Sequence, residues 1–413
     1  MTVLILTGEE DVTADMVVVH LNASSVPVVR LDPADLTAGA TLSGEYAHGS
    51  FDAQLSCGGR LVSLSGLRAV WVRRPGVPAS RAAQPSSWLT EEAAQALYGM
   101  LGGSGARWMN HPDAARRARV KPWQLRLAQR SGLPVPATLI TTVPQAAREF
   151  AARFPDLVVK PVSGAHPQEP PRAVPTTRVA PDADFDAVAY GPTLLQRRVD
   201  KRADIRLTAV GGTLLAARKE IPADADPDEV DVRFASSRTP WRAAEVPPGV
   251  EAAVRAYLRS AELAYGAFDF AEDSEGTWWF LECNQSGQFG FIEVETGQPI
   301  ARTIAAWLAR PGRPWPDRDL LAPGTRRHAV PRSAAGAPPV RHAGRSDGQR
   351  KTAVAVGVLC RLRRPAGGQQ QRVRADDRVV DARRAHHDAQ GVTHVLQLPS
   401  RIGPLPLRLR DLQ

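Results

Sequence analysis

An α/β fold, opening with an open α/β domain and continuing as an α+β body, is what residues 1–310 predict, and three observations carry that reading. The segments Val3–Thr7 (VLILT), an apolar-spaced stretch around Met16–Leu21, and Pro27–Asp32 (PVVRLD) follow one another as strand, helix and strand at the spacing of a βαβ unit. Two long hairpin signatures lie further on, Ala203–Ile221 turning on Gly211-Gly212 and Ala267–Asn284 turning at Asp273–Gly276. The third observation is a change of composition at Arg310. Residues 311–413 hold 20 Lys+Arg against 8 Asp and no Glu, whereas residues 1–310 hold 32 basic against 35 acidic residues. The net charge of +9 therefore belongs to the tail, and the folded part has no basic footprint for nucleic acid.

The elements between these landmarks follow in order. Tyr46–Gly66 is hairpin-like, and Ala69–Gly76 (AVWVRRPG) is a strand ending in Arg73, Arg74 and a Pro-Gly turn. A helix over Thr90–Leu101, with Thr90 as N-cap, leads to GGSG and a boundary near Gly105. A single helix over Ala114–Gln129, a strand Ala137–Thr141, a helix Gln145–Arg153 and the run Leu157–Gly164 (LVVKPVSG) form the next module. Thr193–Val199 reads as a strand and Val250–Ala264 as a helix. The expected domains are 1–105, 106–190 and 191–310, followed by 311–413.

The tail lacks Phe, Tyr, Met and Glu and shows no helical or strand period, so it is expected to be disordered, with an out-of-frame product or an RNA- or partner-binding arm as the competing readings. Met1–Glu10 has no basic n-region, and no run approaches the ~18 apolar residues of a membrane span, so a cytoplasmic protein without a membrane partner is expected. Cys57, Cys283 and Cys360 show no CxxC spacing and are expected to be buried free thiols.

Several side chains group by strand alternation. Glu282 and Asn284 stand two apart on one face, and Asp269 lies on the preceding strand of the same hairpin. Two carboxylates and an amide suit Mg²⁺, which completes its shell with phosphate oxygens and water; a solvated strand end is the bland alternative. Lys160 is delivered by an apolar strand to the turn Pro161-Val162-Ser163-Gly164, whose amides could face phosphates, and Lys121 begins a helical face; either lysine could equally be an ordinary surface residue. Gln196 stands on a strand edge able to read an adenine, and Asp204, eight residues on, could hold ribose hydroxyls. Arg206 and Lys219 add positive charge suited to a transferring phosphoryl group, or pair on an outer sheet face. Asp231 and Arg233 share a spacing that puts both on one side of a strand, or else in a solvated loop.

Taken in order, Lys121, VVKPVSG, QRRV, ADIRL, the lysine of AARKEI, FDF and FLECNQSG resemble the linear signature of the ATP-grasp superfamily over roughly residues 105–310. With LTGEEDVTADMVVVHL, VVRLDP, VWVRRPG, DVR and WWFLECNQSGQFGFIEVETGQPIA, the chain looks most similar to ATP-grasp maturases of ribosomal peptides, the microviridin or graspetide macrocyclases. That resemblance implies an ATP-grasp fold behind a pre-ATP-grasp domain, with ATP and Mg²⁺ (Mn²⁺ as a substitute) as cofactors. It implies a ribosomal precursor peptide as partner, no nucleic acid, and compatibility with a homodimer. It also implies ester or amide formation through an acyl phosphate. Carried over residue by residue, Asp269, Glu282 and Asn284 hold the metal, and Lys121, Lys160 and Ser163 the phosphates. Gln196, Arg197 and Val199 hold the adenine and Asp204 the ribose. Arg206 and Lys219 stabilise the acyl phosphate, and Asp231, Arg233, Arg73 and Arg74 engage the peptide. A ligase that adds amino acids to a protein tail or small carboxylate, and a silent ATP- or peptide-binding protein, are the alternatives. Three departures stand out: Arg197 and Arg198 where an acidic residue is frequent, Cys283 where a branched apolar residue is usual, and Asp231-Val232-Arg233 in place of Asp-Trp-Arg.

Overall fold

A computed structural model describes residues 1–78, 87–163, 165–166, 172–226, 230–232 and 239–310. The expectations for residues 311–413, including Cys360, lie outside these described residues, as do Arg233 and most of the proline-rich stretch after Ser163.

The N-terminal domain is built on a parallel sheet of order β2-β1-β6-β7. Strand β1 (Thr2–Thr7) runs into helix α1 (Val12–Ala23) and returns as β2 (Val28–Leu31). Asp11 caps α1, its side chain accepting from the Ala14 amide at 3.3 Å, and Ala14, Val17 and Leu21 form the buried stripe. A three-stranded antiparallel meander follows, β3 (Ala40–Ala47), β4 (Ser50–Cys57) and β5 (Arg60–Ser63), before the chain re-enters the main sheet as β6 (Leu67–Arg74). Helix α2 (Ser87–Gly102) starts three residues earlier than expected, which places Thr90 inside it instead of at its cap. Strand β7 (Arg107–Met109) then adds to β6, so the sheet extends past the expected boundary at Gly105. One face of the sheet packs on the meander and α2 through Leu4, Leu6, Val70 and Trp108.

The expected helix over Ala114–Gln129 is two helices, α3 (Pro112–Ala118) and α4 (Lys121–Arg130). Pro122 explains the break: it has no N–H to donate, its ring would meet the Ala118 carbonyl, and Val120, two residues before it, turns extended at ψ 106°. The chain continues through β8 (Thr138–Thr141), α5 (Pro144–Arg153) and β9 (Leu157–Lys160). Two two-residue strands, β10 (Ala165–His166) and β11 (Arg172–Ala173), pair with each other. Strands β12 (Thr177–Arg178) and β13 (Thr193–Arg197) then complete a sheet of order β12-β9-β13-β8.

A five-stranded antiparallel sheet closes the fold, with order β16-β15-β14-β17-β18. Its strands are β14 (Lys201–Val210), β15 (Thr213–Glu220), β16 (Arg242–Ala244), β17 (Tyr265–Asp273) and β18 (Trp278–Asn284), with α6 (Pro248–Ala261) before β17. Both hairpins turn where expected. Gly211 has φ 61°, and a Cβ there would lie 2.4 Å from the Trp307 ring, so glycine is required twice over. At the other turn Asp273 Oδ1 accepts the Glu275 and Thr277 amides at 3.0 and 2.9 Å.

Helices α7 (Gly290–Thr296) and α8 (Ile300–Ala309) end the described chain. Helix α8 buries Ile300, Ile304, Trp307 and Leu308 in a core shared with Val3, Ile5 and Trp71 of the first sheet and with Val210 and Tyr265 of the last. Each such side chain contributes about 1.5–3 kcal/mol when buried. The Arg107 guanidinium lies 3.9 Å from the centre of the Trp307 ring, a cation–π contact that anchors the helix end. Asn110, 2% exposed, joins the two halves. Its Oδ1 accepts from the Ala264 and Tyr265 amides at 2.7 and 2.9 Å, and its Nδ2 donates to the Tyr265 and Gln285 carbonyls at 2.9 and 3.0 Å. Cys57 and Cys283 are free thiols, as expected, but only Cys283 is buried; Cys57 is half-buried on β4. Among the described residues, no helix is long and apolar enough to cross a membrane.

Candidate active site

The last hairpin puts Asp269 directly opposite Glu282, and Ala267 opposite Asn284. On the other side of β17, Asp269 pairs in register with Arg206 of β14, and the Arg206 Nε lies 2.7 Å from Asp269 Oδ1. Strict alternation would have placed Phe280 on the same face as Glu282. A register shift between Asp269 and Phe270 prevents this: Phe270 faces Phe280, leaving Leu281 as an extra residue on β18. Phe280 therefore stays in the core, fully buried, while Leu281 and Glu282 both turn to the cleft. Asn284 is exposed, and its Oδ1 accepts the Ser286 amide at 2.9 Å, which leaves the second lone pair of that oxygen for another partner.

The cleft has two adjoining chambers of about 350 and 340 Å³ that share Lys160, Thr176, Gln196, Val230 and Leu281 as wall. The first is bounded by Arg197, Arg198, Val199 and Lys201, the second by Lys121, Asp204, Arg206, Asp231 and the Asp269/Glu282/Asn284 group. Volumes of this size suit a small ligand. Lys160 Nζ donates to Gln196 Oε1 at 2.8 Å, and Gln196 Nε2 donates in turn to Thr138 Oγ1 at 2.9 Å. Lys121 Nζ donates to the Pro161 carbonyl at 2.7 Å, so both lysines sit at the root of the same turn. Ser163 is exposed at its tip.

Burial lowers the Lys160 ammonium to about 8, Glu282 pulling the other way and Lys121 adding to the shift. The folded value lies below the ordinary lysine value of 10.5, so between about pH 8 and 10.5 the unfolded chain holds the extra proton. Stability from this group accordingly rises with pH across that window. Urea midpoints measured on either side of pH 8 are expected to rise more in the wild-type protein than in Lys160→Met; equal slopes would contradict the assignment.

Asp204 is buried, and its Oδ1 is held by Lys201 Nζ at 2.6 Å. Burial raises its carboxyl, with Lys201 opposing. Its other oxygen, Oδ2, is buried on the cleft wall without a hydrogen-bond partner, an acceptor suited to a ligand hydroxyl. Lys219 stands opposite Asp204 on β15, and the Thr176 amide donates to Asp231 Oδ2 at 3.0 Å.

The two arginines that depart from the related pattern have structural explanations. The Arg197 guanidinium lies 4.7 Å from the centre of the Trp279 ring, and Arg198 Nε is 2.6 Å from Asp156 Oδ2, whose other oxygen holds Arg178 Nε at 2.9 Å. Arg73 is a correction. Read as a peptide contact, it is 2% exposed and tied to Asp11, Ser286 and Gln288, so it faces the interior of the protein. Arg74 is exposed beside it.

Sequence reasoning missed Gln124. Buried on α4, it donates from Nε2 to the Cys283 carbonyl at 3.0 Å and accepts the Cys283 amide on Oε1 at 3.0 Å, replacing the neighbour that the edge strand β18 lacks. The Phe280 amide donates to the Pro134 carbonyl at 2.7 Å on the same edge. The glutamine in a basic helix carried no local signal. Trp241, 8% exposed on the second chamber, was also missed.

Among the described residues there is no cluster of three or more His, Cys, Asp or Glu able to hold a metal. Two carboxylates and an amide are too few for a closed protein cage and fit a hard cation that shares its shell with a ligand's phosphates.

Residues 2–116 match the family model described as the MvdD pre-ATP grasp domain. The fold as a whole is similar to that of a Chryseobacterium gregarium RiPP-associated ATP-grasp ligase solved with ADP and with a leader and core peptide, at 24% identity and a TM-score of 0.65, covering 74% of this chain and 96% of that one. The chain has the ATP-grasp fold, behind an N-terminal open α/β domain. Two Microcystis aeruginosa structures are also similar. Macrocyclase MdnC, bound with precursor peptide MdnA, matches at 23% identity and a TM-score of 0.64. Macrocyclase MdnB matches at 25% and 0.60, and in both cases 75% of this chain and 99% of the other are covered. No curated protein matches the sequence.

Proposed function

We propose that this chain is an ATP-dependent ligase that activates Asp or Glu side-chain carboxylates of a ribosomal precursor peptide as acyl phosphates and joins them to Ser/Thr hydroxyls or Lys amines. The observation that carries this reading is the placement of Asp269 and Glu282 face to face beside Arg206, at the end of a cleft whose root holds Lys121 and Lys160. The similar structures, a ligase solved with ADP and peptide, a macrocyclase bound with its precursor peptide and a second macrocyclase, support the same class.

Asp269, Glu282 and Asn284 would hold Mg²⁺, with Mn²⁺ as a substitute, and the ion when bound neutralises phosphate charge. Lys121 and Lys160 would hold phosphate oxygens, and Ser163 lies at the turn that would cover them. Gln196, Arg197 and Val199 bound the chamber proposed for the adenine, with Gln196 acting through Lys160. Asp204 Oδ2 would accept from a ribose hydroxyl. A peptide carboxylate oxygen attacks the γ-phosphorus and ADP leaves; the hydroxyl or amine then attacks the acyl carbon and phosphate leaves with the bridging oxygen, its charge stabilised by Arg206 and Lys219. Asp231, Arg233 and Arg74 are proposed to orient the peptide.

Co-expression with a short Thr- and Asp/Glu-rich peptide encoded next to this protein tests the reading. Mass spectrometry is expected to show loss of one water per ring, with ADP released in step, and neither with Asp269→Ala. A peptide that binds but keeps its mass, with no ADP formed, would mean a silent binding protein.

A further inference from the structure

In open parallel sheets, ligands bind outside the carboxyl ends of the strands where the strand order reverses. Here the reversal lies between β1 and β6, since β2 lies on one side of β1 and β6 on the other. The residues at that crevice are those after β1, up to Asp11, and Arg73 at the end of β6. The loop Gln285–Phe289, which follows Asn284 directly, sits in it. Arg73 Nη1 donates to the Ser286 carbonyl at 2.6 Å, Arg73 also donates to Gln288 Oε1, and Thr13 Oγ1 donates to the same oxygen at 2.9 Å. Asp11 Oδ2 lies 3.3 Å from Arg73 Nε and accepts Thr7 Oγ1 at 2.9 Å, so the guanidinium is held from behind.

Four consecutive carbonyls of this loop each receive a side-chain donor from a different element. Gln285 takes Asn110 at 3.0 Å, Ser286 takes Arg73 at 2.6 Å, Gly287 takes the Tyr265 hydroxyl at 2.8 Å, and Gln288 takes Arg206 at 3.4 Å. Gly287 lies so close to the sheet that a Cβ would come within 2.4 Å of the Ala267 Cβ. Loop carbonyls ordinarily face water, and so many directed donors make this segment a fixed spacer.

We propose that the N-terminal crevice is a cradle for this loop of the same chain, and that Arg73 is a positioning residue that sets Asn284 and Glu282 through it. The proposal rests on the metal reading of those two side chains. It assigns the pre-ATP-grasp domain a role at the reacting end of the cleft, although none of its described side chains lines that chamber.

Arg73→Met and Arg73→Lys test it, with Mn²⁺ and ADP as probes. Mn²⁺ affinity in the presence of ADP, read by electron paramagnetic resonance, is expected to fall about tenfold or more in Arg73→Met. Metal-free ADP binding is expected to change little, and amides 285–289 to exchange hydrogen faster. Arg73→Lys, which keeps one donor, is expected to recover part of the loss. A folded Arg73→Met with wild-type Mn²⁺ affinity overturns the proposal, as does equal loss of ADP and Mn²⁺ in proportion to thermal stability. If Arg73→Met does not fold, Gln288→Ala, which removes only the shared acceptor, decides by the same readouts. If the wild-type protein binds no Mn²⁺ with ADP, the metal reading fails by itself, and exchange at 285–289 decides the cradle: faster exchange in the variant keeps it, unchanged exchange removes it.

Discussion

Glu282→Gln is expected to leave a protein that is slightly more stable and nearly inactive. Glu282 and Asp269 are directly opposed across two strands, and like charges so placed repel, with Arg206 on the Asp269 side and Lys160 near Glu282 offsetting part of that repulsion. The amide has the same shape and no charge, so thermal stability without metal is expected to rise by about 0.2–1 kcal/mol. Turnover is expected to fall on the order of 10²–10³-fold, because a group that fixes the charge-neutralising ion is lost where charge develops. Opposite signs in the two measurements distinguish a site residue from a packing residue. Precursor-dependent ADP release and the melting midpoint, taken on the same preparation, check this. A variant that melts lower, or that keeps its turnover, would show Glu282 to be a solvated strand end.

Asn110→Ala is the largest stability change the structure predicts. Removing this side chain strands the Ala264 and Tyr265 amides and deprives the Tyr265 carbonyl of its donor in the interior between the two halves, and the half-buried Gln285 carbonyl loses its donor as well. At about 1–3 kcal/mol for each of the three buried stranded groups, the loss is at least about 3 kcal/mol. Against a total of about 5–15 kcal/mol, that is a large share of the stability. Asn110→Asp keeps the accepting oxygen and replaces the donating NH2 with a second acceptor facing two carbonyls, so it is expected to be no better. Urea denaturation checks both, and a loss below about 2 kcal/mol in Asn110→Ala would mean that the halves are joined chiefly by apolar packing.

What was legible in the sequence was what short-range chemistry encodes. The hairpins announced themselves through Gly211-Gly212 and the Asp273–Gly276 turn, and they put Asp269 on the strand beside Glu282 and Asn284; its direct pairing with Glu282 came only with the bulge. The first βαβ unit was readable from spacing alone. The misses share a physical origin in long-range geometry. The bulge at Leu281 comes from a core that must keep Phe280 while the cleft takes Glu282, and alternation cannot express that conflict. Gln124 has its meaning from a strand edge far along the chain. Arg73, at a strand end like any candidate contact, turned inward because Asp11 and the Gln285–Phe289 loop meet it there. The break at Pro122 was the exception, a local signal passed over because the apolar spacing ran through it.

The wedge made by α8 has a consequence for synthesis on the ribosome. Domains of a nascent chain tend to fold as they emerge, the first one first. Here Val3, Ile5 and Trp71, among the earliest residues made, share their core with Ile304, Trp307 and Leu308. The N-terminal sheet can close over its meander at once, but its opposite face waits, partly covered by α1, until almost the whole described chain has been translated. That waiting apolar face is where a chaperone would act, and a stop codon placed before Ile300 is expected to make the product more prone to aggregate than the longer chain.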